Sequence, residues 1–527
     1  GLPNNHVITD VLVNPTDEPQ TVTYRVVPVS PTGCNDGPAV NITVTVNPTP
    51  RIYPVPVSII QCDSTATNIR LQSPSTFTSG SVTFKFTATA TGGVTGFTPS
   101  ASGLANNHVI ADVLVNPTDA PQTVTYTITP VSPTGCPDGP SVNVTVTVNP
   151  TPRIFPVPSA SIQCDSTTTN IILKSPSTFT SGVVTFNYTA TATGGVTGFT
   201  ASATGLSNNH VIADKLVNPT DAPQTVTYHV IPVSSTGCHN GPAVNITVTV
   251  NPTPRVYPVP VNPIQCDNTS TSITLQSPST FTSGVVTFRY TATATGGVTG
   301  YTASATGLPN NHVITDVLVN PTDAPQTVTY TITPVSPVGC NDGPSVNVTV
   351  TVNPTPRIFP VPSNSIQCDS TTTNIKLESP STFTSGSVTF KYTATATGGM
   401  TGFTASATGL PNGHIITDKL INPTDAPQTV TYHVIPVSPT GCSDGSGIDI
   451  TVTVNPTPRV YPVPANTIQC DNTATSIALQ SPSTFTSGVV TFKYTATATG
   501  GVTGYTASAT GLPNNHVITD VLVNPTD

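Results

Sequence analysis

The side chains that could do chemistry recur in this chain at intervals of 102 residues. A histidine ends an Asn-Asn-His or Asn-Gly-His turn in each copy, and an aspartate follows four residues later. The six pairs are His6 and Asp10, His108 and Asp112, His210 and Asp214, His312 and Asp316, His414 and Asp418, and His516 and Asp520. Such a pair could act as a base with an orienting acid, but catalysis also needs a nucleophile within reach. No nucleophile motif accompanies them, so we predict no catalytic residue and interpret the histidines as turn residues.

Carboxylates are scattered along each copy and do not form clusters. Calcium prefers several carboxylates close together in sequence, as in DxDxD loops. Asp112, Asp119 and Asp138 are far apart, and Asn240 stands where Asp138 stands one copy earlier. We therefore predict no metal site and no cofactor.

The ten cysteines form two series with the same period. One series follows Gly, namely Cys34, Cys136, Cys238, Cys340 and Cys442. The other follows Ile-Gln, namely Cys62, Cys164, Cys266, Cys368 and Cys470. Zinc sites need closer ligand spacing such as CxxC. Regular pairs of cysteines therefore predict disulfides formed in an oxidising compartment.

The elements that must position these side chains are tandem repeats. The segment GLPNNHVITDVLVNPTD occurs unchanged at residues 1–17, 307–323 and 511–527. A period of about 100 residues is long enough to bury its own core. We predict four complete domains flanked by two partial ones, with bounds at 1–50, 51–152, 153–254, 255–356, 357–458 and 459–527.

Composition restricts the class of protein. Only 7% of the residues are charged, against about 25% in an average soluble protein. The 15 Lys and Arg residues form no basic patch, so we expect no nucleic acid partner. No run of 18 apolar residues exists that could form a membrane-spanning helix. Thr and Ser take the outward strand positions, which favours an extracellular location.

Hydrophobic residues alternate with polar residues at period two, and no helical period occurs. Val82, Phe84 and Phe86 alternate in this way. The same holds for Val124, Tyr126 and Ile128. Several short strands with turns every 8–12 residues predict an all-β, immunoglobulin-like β-sandwich in each period. Tyr126 stands early in the penultimate strand, where a tyrosine corner would lie.

This fold allows two patterns of cysteine pairing. A first strand from Ile52 to Gln61 would carry Cys62 to the end of its domain that faces the next one. Cys136 would lie in a loop at the opposite end, about a strand length of 33 Å away, whereas a disulfide needs Cα atoms within about 7 Å. Geometry favours bonds between neighbouring domains: Cys62–Cys238, Cys164–Cys340 and Cys266–Cys442. The intradomain alternative stays open: Cys62–Cys136, Cys164–Cys238, Cys266–Cys340 and Cys368–Cys442.

The stretch QTVTYTITPVSPTGCPDGPSVNVTVTVNPTP at 122–152, followed by IQCDS at 162–166, resembles a known type of repeat. It is similar to the PKD-like, Ig-like repeats of giant adhesins on the surface of gliding Bacteroidota. The resemblance implies type IX secretion, attachment to the outer membrane, and partners in the gliding and secretion machinery. Asp-Ser-Thr resembles the O-glycosylation motif of this phylum and would place sugar on Ser64, Ser166 and Ser370. The alternative is that these serines only form a turn.

Two function hypotheses follow from these observations. The first is a structural shaft of a cell-surface filament or adhesin, in which each repeat contacts its neighbours and the array projects an adhesive region. The second is a multivalent module that binds an external surface, polysaccharide or protein by avidity. Binding sites for sugars usually display aromatic side chains, and Phe97, Phe199, Tyr301 and Tyr505 are the candidates for an exposed loop position.

Overall fold

The computed structural model describes residues 1–53, 56–155, 160–359, 361, 364–461 and 467–526. Among these residues every regular element is a β-strand. The expected all-β class is therefore confirmed. The predicted first strand from Ile52 to Gln61 is too long, because the observed strand spans Ser58–Cys62. Pro54 and Val55, in the middle of that prediction, lie outside the described residues.

The first 50 residues contain a two-stranded ladder, and the next period contains a complete sandwich. The ladder consists of β1 (Gln20–Val26) and β2 (Val40–Val46). The strands of residues 51–152 are β3 (Ser58–Cys62), β4 (Thr65–Ala66), β5 (Ile69–Arg70), β6 (Thr83–Ala90), β7 (Ser100–Ala105), β8 (Val109–Ile110), β9 (Val113–Leu114), β10 (Gln122–Val131) and β11 (Val142–Asn149).

Residues 51–152 form one five-stranded sheet covered by two short ladders. The strand order of the sheet is β3-β11-β10-β6-β7, and the ladders are β4-β9 and β5-β8. Strand β3 runs parallel to β11, and the other neighbours are antiparallel. Side chains from the sheet, such as Phe84 and Tyr126, pack against Ile69 and Leu114 of the ladders. The core therefore lies between the two layers, as in a β-sandwich.

The other periods repeat this order. Residues 153–254 contain β12 (Ala160–Cys164), β13 (Thr167–Thr168), β14 (Ile171–Leu173), β15 (Thr185–Ala192), β16 (Ser202–Leu206), β17 (His210–Ile212), β18 (Lys215–Leu216), β19 (Gln224–Val233) and β20 (Val244–Asn251). Residues 255–356 contain β21 (Ile264–Cys266), β22 (Thr269–Ser270), β23 (Ile273–Leu275), β24 (Thr287–Ala294), β25 (Ser304–Leu308), β26 (His312–Ile314), β27 (Val317–Leu318), β28 (Gln326–Val335) and β29 (Val346–Asn353).

In the residues that the structure describes, the last two periods contain fewer strands, which follow in the same order. Residues 357–458 contain β30 (Asn364–Cys368), β31 (Ile375–Lys376), β32 (Thr389–Ala396), β33 (Ser406–Pro411), β34 (Ile415–Ile416), β35 (Gln428–Val437) and β36 (Ile448–Asn455). Residues 459–526 contain β37 (Thr473–Ala474), β38 (Ile477–Leu479), β39 (Thr491–Thr495), β40 (Ser508–Pro513), β41 (His516–Ile518) and β42 (Val521–Leu522).

The period-two pattern of the sequence corresponds to burial. Along β10, Val124, Tyr126 and Ile128 are fully buried, while the threonines between them are partly exposed. Each buried aliphatic or aromatic side chain contributes about 1.5–3 kcal/mol relative to an exposed one. The turn after β6 also depends on a glycine: Gly92 has a φ of 56°, and a Cβ there would lie 2.2 Å from Cδ of Gln122, the first residue of β10.

The two cysteine positions lie at opposite ends of the sheet. Cys62 ends β3 and stands opposite Asn149, the last residue of β11. Cys136 lies in the loop that connects the end of β10 to the start of β11. Since β3 and β11 are parallel, Cys62 is at the exit of the domain and Cys136 is at its entrance.

Candidate functional site at the junction between repeats

A disulfide connects adjacent repeats. Cys62, at the exit of residues 51–152, is bonded to Cys238, in the loop between β19 and β20 of the next repeat, with a Cα–Cα distance of 5.4 Å. Cys266 and Cys442 are bonded in the same way, also with 5.4 Å between the Cα atoms. Both distances lie in the normal range for disulfides. Each of these repeats is therefore joined to its neighbour by a disulfide in addition to the backbone.

These bonds are the type that geometry favoured in the sequence. The intradomain alternative does not occur in the structure, because Cys62 and Cys136 lie at opposite ends of one sandwich. Cys136 is free and exposed, as are Cys34, Cys368 and Cys470. In each intradomain pair, one cysteine is bonded to a cysteine of another repeat. None of these pairs is therefore formed: Cys62–Cys136, Cys164–Cys238, Cys266–Cys340 and Cys368–Cys442. Cys164 and Cys340 are disulfide-bonded cysteines, and their pairing with one another stays a prediction.

An asparagine that follows or ends the last strand of a repeat makes two hydrogen bonds to the next repeat. Nδ2 of Asn149 donates to Oγ1 of Thr180 at 3.1 Å, and the N–H of Thr180 donates back to Oδ1 of Asn149 at 3.0 Å. Asn149 is only 1% exposed. Since buried amides are costly when left unpaired, this pair fixes one contact between the two domains. The same pair occurs as Asn47 with Thr78, Asn353 with Thr384, and Asn455 with Thr486.

An aspartate and an arginine form a second set of junction contacts. The carbonyl of Asp119 accepts the N–H of Thr178 at 2.8 Å, and Oδ1 of Asp119 lies 3.1 Å from Nε of Arg153. Arg153 also donates to the carbonyl of Pro117 at 2.9 Å. The ion pair is exposed and contributes little by itself. The same ion pair is formed at other junctions by Asp17 with Arg51, Asp323 with Arg357, and Asp425 with Arg459.

The aspartate that follows each exit cysteine ties the cysteine turn to the linker. Oδ1 of Asp63 accepts the N–H of Asn116 at 2.7 Å, and Oδ2 accepts the hydroxyl of Thr151 at 2.7 Å. In Asp369, burial acts to raise the carboxyl pKa, but hydrogen bonds outweigh burial and the pKa is lowered. The strongest of these bonds come from the N–H of Asn422 and the hydroxyl of Thr457. The aspartate is thus a clamp for the linker, a role that its sequence context did not indicate.

A glycine in the entrance loop allows the loop to approach the linker. A Cβ on Gly241 would lie 1.7 Å from the carbonyl oxygen of Pro152, and one on Gly139 would lie 1.9 Å from that of Pro50. Only glycine is compatible with such an approach. This contact places the loop that holds Cys238 against the segment joining the two repeats.

In the complete repeats, the aspartates of the repeated His-Asp pairs bind a tyrosine and a threonine of their own repeat. Both oxygens of Asp112 accept hydrogen bonds: Oδ2 from the hydroxyl of Tyr126 at 2.7 Å and from the N–H of Thr98 at 2.8 Å, and Oδ1 from the Thr98 hydroxyl at 2.9 Å. His108 is exposed, and its N–H closes a turn to the carbonyl of Ala105 at 3.1 Å. Equivalent tyrosine bonds join Tyr228 to Asp214, Tyr330 to Asp316, and Tyr432 to Asp418.

Tyr126 therefore differs from the tyrosine corner that its position suggested. Its hydroxyl reaches the side chain of Asp112, 14 residues upstream, whereas a tyrosine corner bonds to nearby backbone. Burial, followed by the hydrogen bond and charge of Asp112, raises the pKa of Tyr126. Tyr126 is a buried link between the sheet and the opposite layer.

The candidate glycosylation serines lie in exposed turns. Ser64 has a φ of 57°, and its N–H donates to the carbonyl of Leu114 at 2.8 Å. Asn268 and Asn472 take the same place in other repeats, with φ of 57° and 56°. Asparagine tolerates this left-handed conformation well, which explains the exchange. All three serines are exposed, namely Ser64, Ser166 and Ser370, and their glycosylation stays a prediction.

The aromatic side chains considered for ligand binding are partly buried. Phe97 and Phe199 pack against the cores of their own repeats. Tyr301 and Tyr505 are likewise only partly exposed. Over the described ranges, no three His, Cys, Asp or Glu side chains form a group that could hold a metal ion. The part of the chain that the structure describes contains no helix long and apolar enough to cross a membrane.

The fold and the junctions define a tandem array of β-sandwich repeats, and comparison with known families identifies the repeat. The PKD-like domain family matches residues 2–50, 60–152, 162–254, 264–356 and 365–458. The chain therefore belongs to the PKD-like domain family. No curated protein matches it.

Solved structures of extracellular repeat proteins show a distant similarity. Protocadherin gammaB7 EC3-6 is 14% identical, with 77% of this chain and 100% of that chain covered and a TM-score of 0.28. The human desmocollin-1 ectodomain is 10% identical, with 90% and 94% covered and a TM-score of 0.26. Mouse cadherin-23 EC22-24 is 14% identical, with 59% and 99% covered and a TM-score of 0.28. At these TM-scores the three structures support no argument about this chain.

Proposed function

We propose that this chain is a non-catalytic structural shaft in which each repeat is fixed to the next. The observation that carries the proposal is the junction, where a disulfide, an Asn–Thr pair and an Asp–Arg pair act together. Domains joined by a short linker and a small interface are mobile by default. Each added contact reduces the range of orientations that two neighbouring repeats can adopt, and the disulfide holds unless it is reduced. A projecting shaft requires this kind of restraint.

The disulfides also support an extracellular location. Stable disulfides form in oxidising compartments and are rare in the cytosol. The low density of charge, with a net charge of −9 over 527 residues, is also consistent with a surface exposed to the extracellular medium. The proposed partners of each repeat are its neighbours in the same chain.

The finer proposal concerns the parent protein. The resemblance to surface repeats of gliding Bacteroidota supports an adhesin similar to the gliding-motility adhesin SprB. In that setting the shaft would be exported by type IX secretion, attached to the outer membrane and moved by the gliding machinery. It would hold an adhesive region against an external surface or polysaccharide.

The competing hypothesis is a multivalent binding module. It would require a recurrent exposed platform, and of the aromatic residues considered for it Phe97 and Phe199 pack against the core, while Tyr301 and Tyr505 are only partly exposed. A glycan array with the purified chain separates the two functions. The shaft predicts no binding, whereas micromolar binding to a defined sugar would favour the module.

Solution scattering tests the shaft directly. At about 40 Å per repeat, from strands of about 10 residues plus a linker, five periods give a maximum dimension of roughly 200 Å. We expect that value for the oxidised chain and a broader distribution for the Cys62→Ser, Cys266→Ser variant. A maximum dimension near 100 Å for the oxidised chain would contradict the proposal. Cys34→Ser serves as the control, because Cys34 is free in the structure.

A further inference from the structure

We propose that the disulfides make this array a nearly inextensible tether, in which tension bypasses most of each of the four complete repeats. The inference rests on the proposed shaft function and adds a mechanical property to it. It depends on which cysteines are joined and on the order of the chain between them.

The covalent path along the array is much shorter than the backbone. From Cys62 the path crosses directly to Cys238, a sequence separation of 176 residues. The backbone then runs about 28 residues to Cys266, where a second disulfide crosses another 176 residues to Cys442. Tension applied at the two ends is carried by this path, because the longer backbone route stays slack.

Few secondary-structure elements lie on the path. Between Cys238 and Cys266 the path contains only the last strand of one sandwich, β20 (Val244–Asn251), and the first strand of the next, β21 (Ile264–Cys266). The strands from β4 to β19 lie in the loop that the first disulfide bypasses, and those from β22 to β35 lie in the loop that the second bypasses. Unfolding of those strands would therefore add no length to the tether.

The magnitude follows from the reach of an extended chain, about 3.3–3.6 Å per residue. Without disulfides, one unfolded repeat releases roughly 350 Å. With both disulfides, the stretch from Cys62 to Cys442 is limited to roughly 100 Å of extended backbone, although roughly 1,300 Å of chain lies between these residues. A single unfolded repeat would thus leave the projecting length of the shaft nearly unchanged.

The free cysteines distinguish this arrangement from the intradomain pairing. Cys136 lies on no tension path in the structure, since it is free and exposed. If Cys62 were joined to Cys136 instead, only about 74 residues of each repeat would be bypassed. Substitution of Cys136 would then lengthen the tether, whereas in the observed arrangement it has no effect.

Single-molecule force spectroscopy on the full chain, held at residues 1 and 527, tests the inference. After complete unfolding we expect a contour length of roughly 600 Å without reductant and roughly 1,800 Å with it, a threefold difference. The double variant Cys62→Ser, Cys238→Ser should gain roughly 500–600 Å without reductant, and the lower value applies to a path through a Cys164–Cys340 bond. Cys136→Ser should match the unsubstituted chain.

Two results would overturn the inference: equal contour lengths with and without reductant, or a longer Cys136→Ser chain. Either result leaves the maximum dimension of the unsubstituted chain as a separate test of the shaft, so the two failures are distinguishable. The contour length is measured after unfolding, so a variant with an unstable repeat still reports the connectivity.

Discussion

The buried tyrosine of each complete repeat offers a sharp test of how the two layers are held together. The hydroxyl of Tyr228 donates to Asp214 at 2.7 Å, and the tyrosine is fully buried. Replacement by phenylalanine keeps the ring and removes the hydrogen bond to a charged group, which costs about 1.5–3 kcal/mol. To shift all complete repeats together, the variant combines Tyr126→Phe, Tyr228→Phe, Tyr330→Phe and Tyr432→Phe.

The expected change in melting temperature is large. One kcal/mol shifts the melting temperature of a domain of this size by about 4–8 °C, so we expect a decrease of at least roughly 6 °C by calorimetry. The control is Tyr188→Phe, Tyr290→Phe and Tyr392→Phe. The first complete repeat already has Phe86 at that position, packed edge-to-face on Tyr126 at 5.6 Å. Equal decreases in the two variants would refute a specific role for the Tyr–Asp bond.

Three further predictions follow from the same repeats. Burial and the adjacent aspartate raise the pKa of Tyr126 in the folded state, so its contribution to stability is complete below the ordinary tyrosine pKa of about 10 and falls as the pH rises above it. Calorimetry from pH 8 to 11.5 should show a constant melting temperature up to about pH 10 and a decline beyond. A flat profile would contradict this prediction. Asn311 has a φ of 67°, and Gly413 takes the same place in the next repeat. Asn311→Gly should therefore leave the hydrogen-exchange protection of that turn unchanged, while Asn311→Ala should lower it by about 1 kcal/mol. Equal protection in both variants would show that the left-handed conformation is unimportant. Gly241→Ala places a Cβ 1.7 Å from the carbonyl of Pro152, so we expect faster amide exchange in the loop around Cys238, and unchanged exchange would show that the loop does not pack on the linker.

The sandwich could be predicted from the sequence because local pattern and final burial agree. Thr and Val alternate along β10 and β11, and the same residues alternate between solvent and core. The first strand was predicted too long, since the alternation around Ile52 does not show where pairing with β11 begins.

The junction could be predicted only in part. Cys62 ends β3 and Cys136 precedes β11, and because these two strands are parallel the cysteines lie at opposite ends of the domain. The connection to the next repeat could therefore be inferred. The clamp by Asp63 could not, because its partners Asn116 and Thr151 are distant in sequence and polar residues of this kind occur throughout the chain. The close approach of Gly241 to Pro152 is a contact of tertiary structure, and the sequence shows only a Gly-Pro turn.

The central claim is that covalent bonds connect one repeat to the next. Peptide mapping of the purified, alkylated chain under non-reducing conditions tests it most directly. We expect linked peptides containing Cys62 with Cys238 and Cys266 with Cys442, together with alkylated Cys136 and Cys368. A linked peptide containing Cys62 and Cys136 would contradict the account.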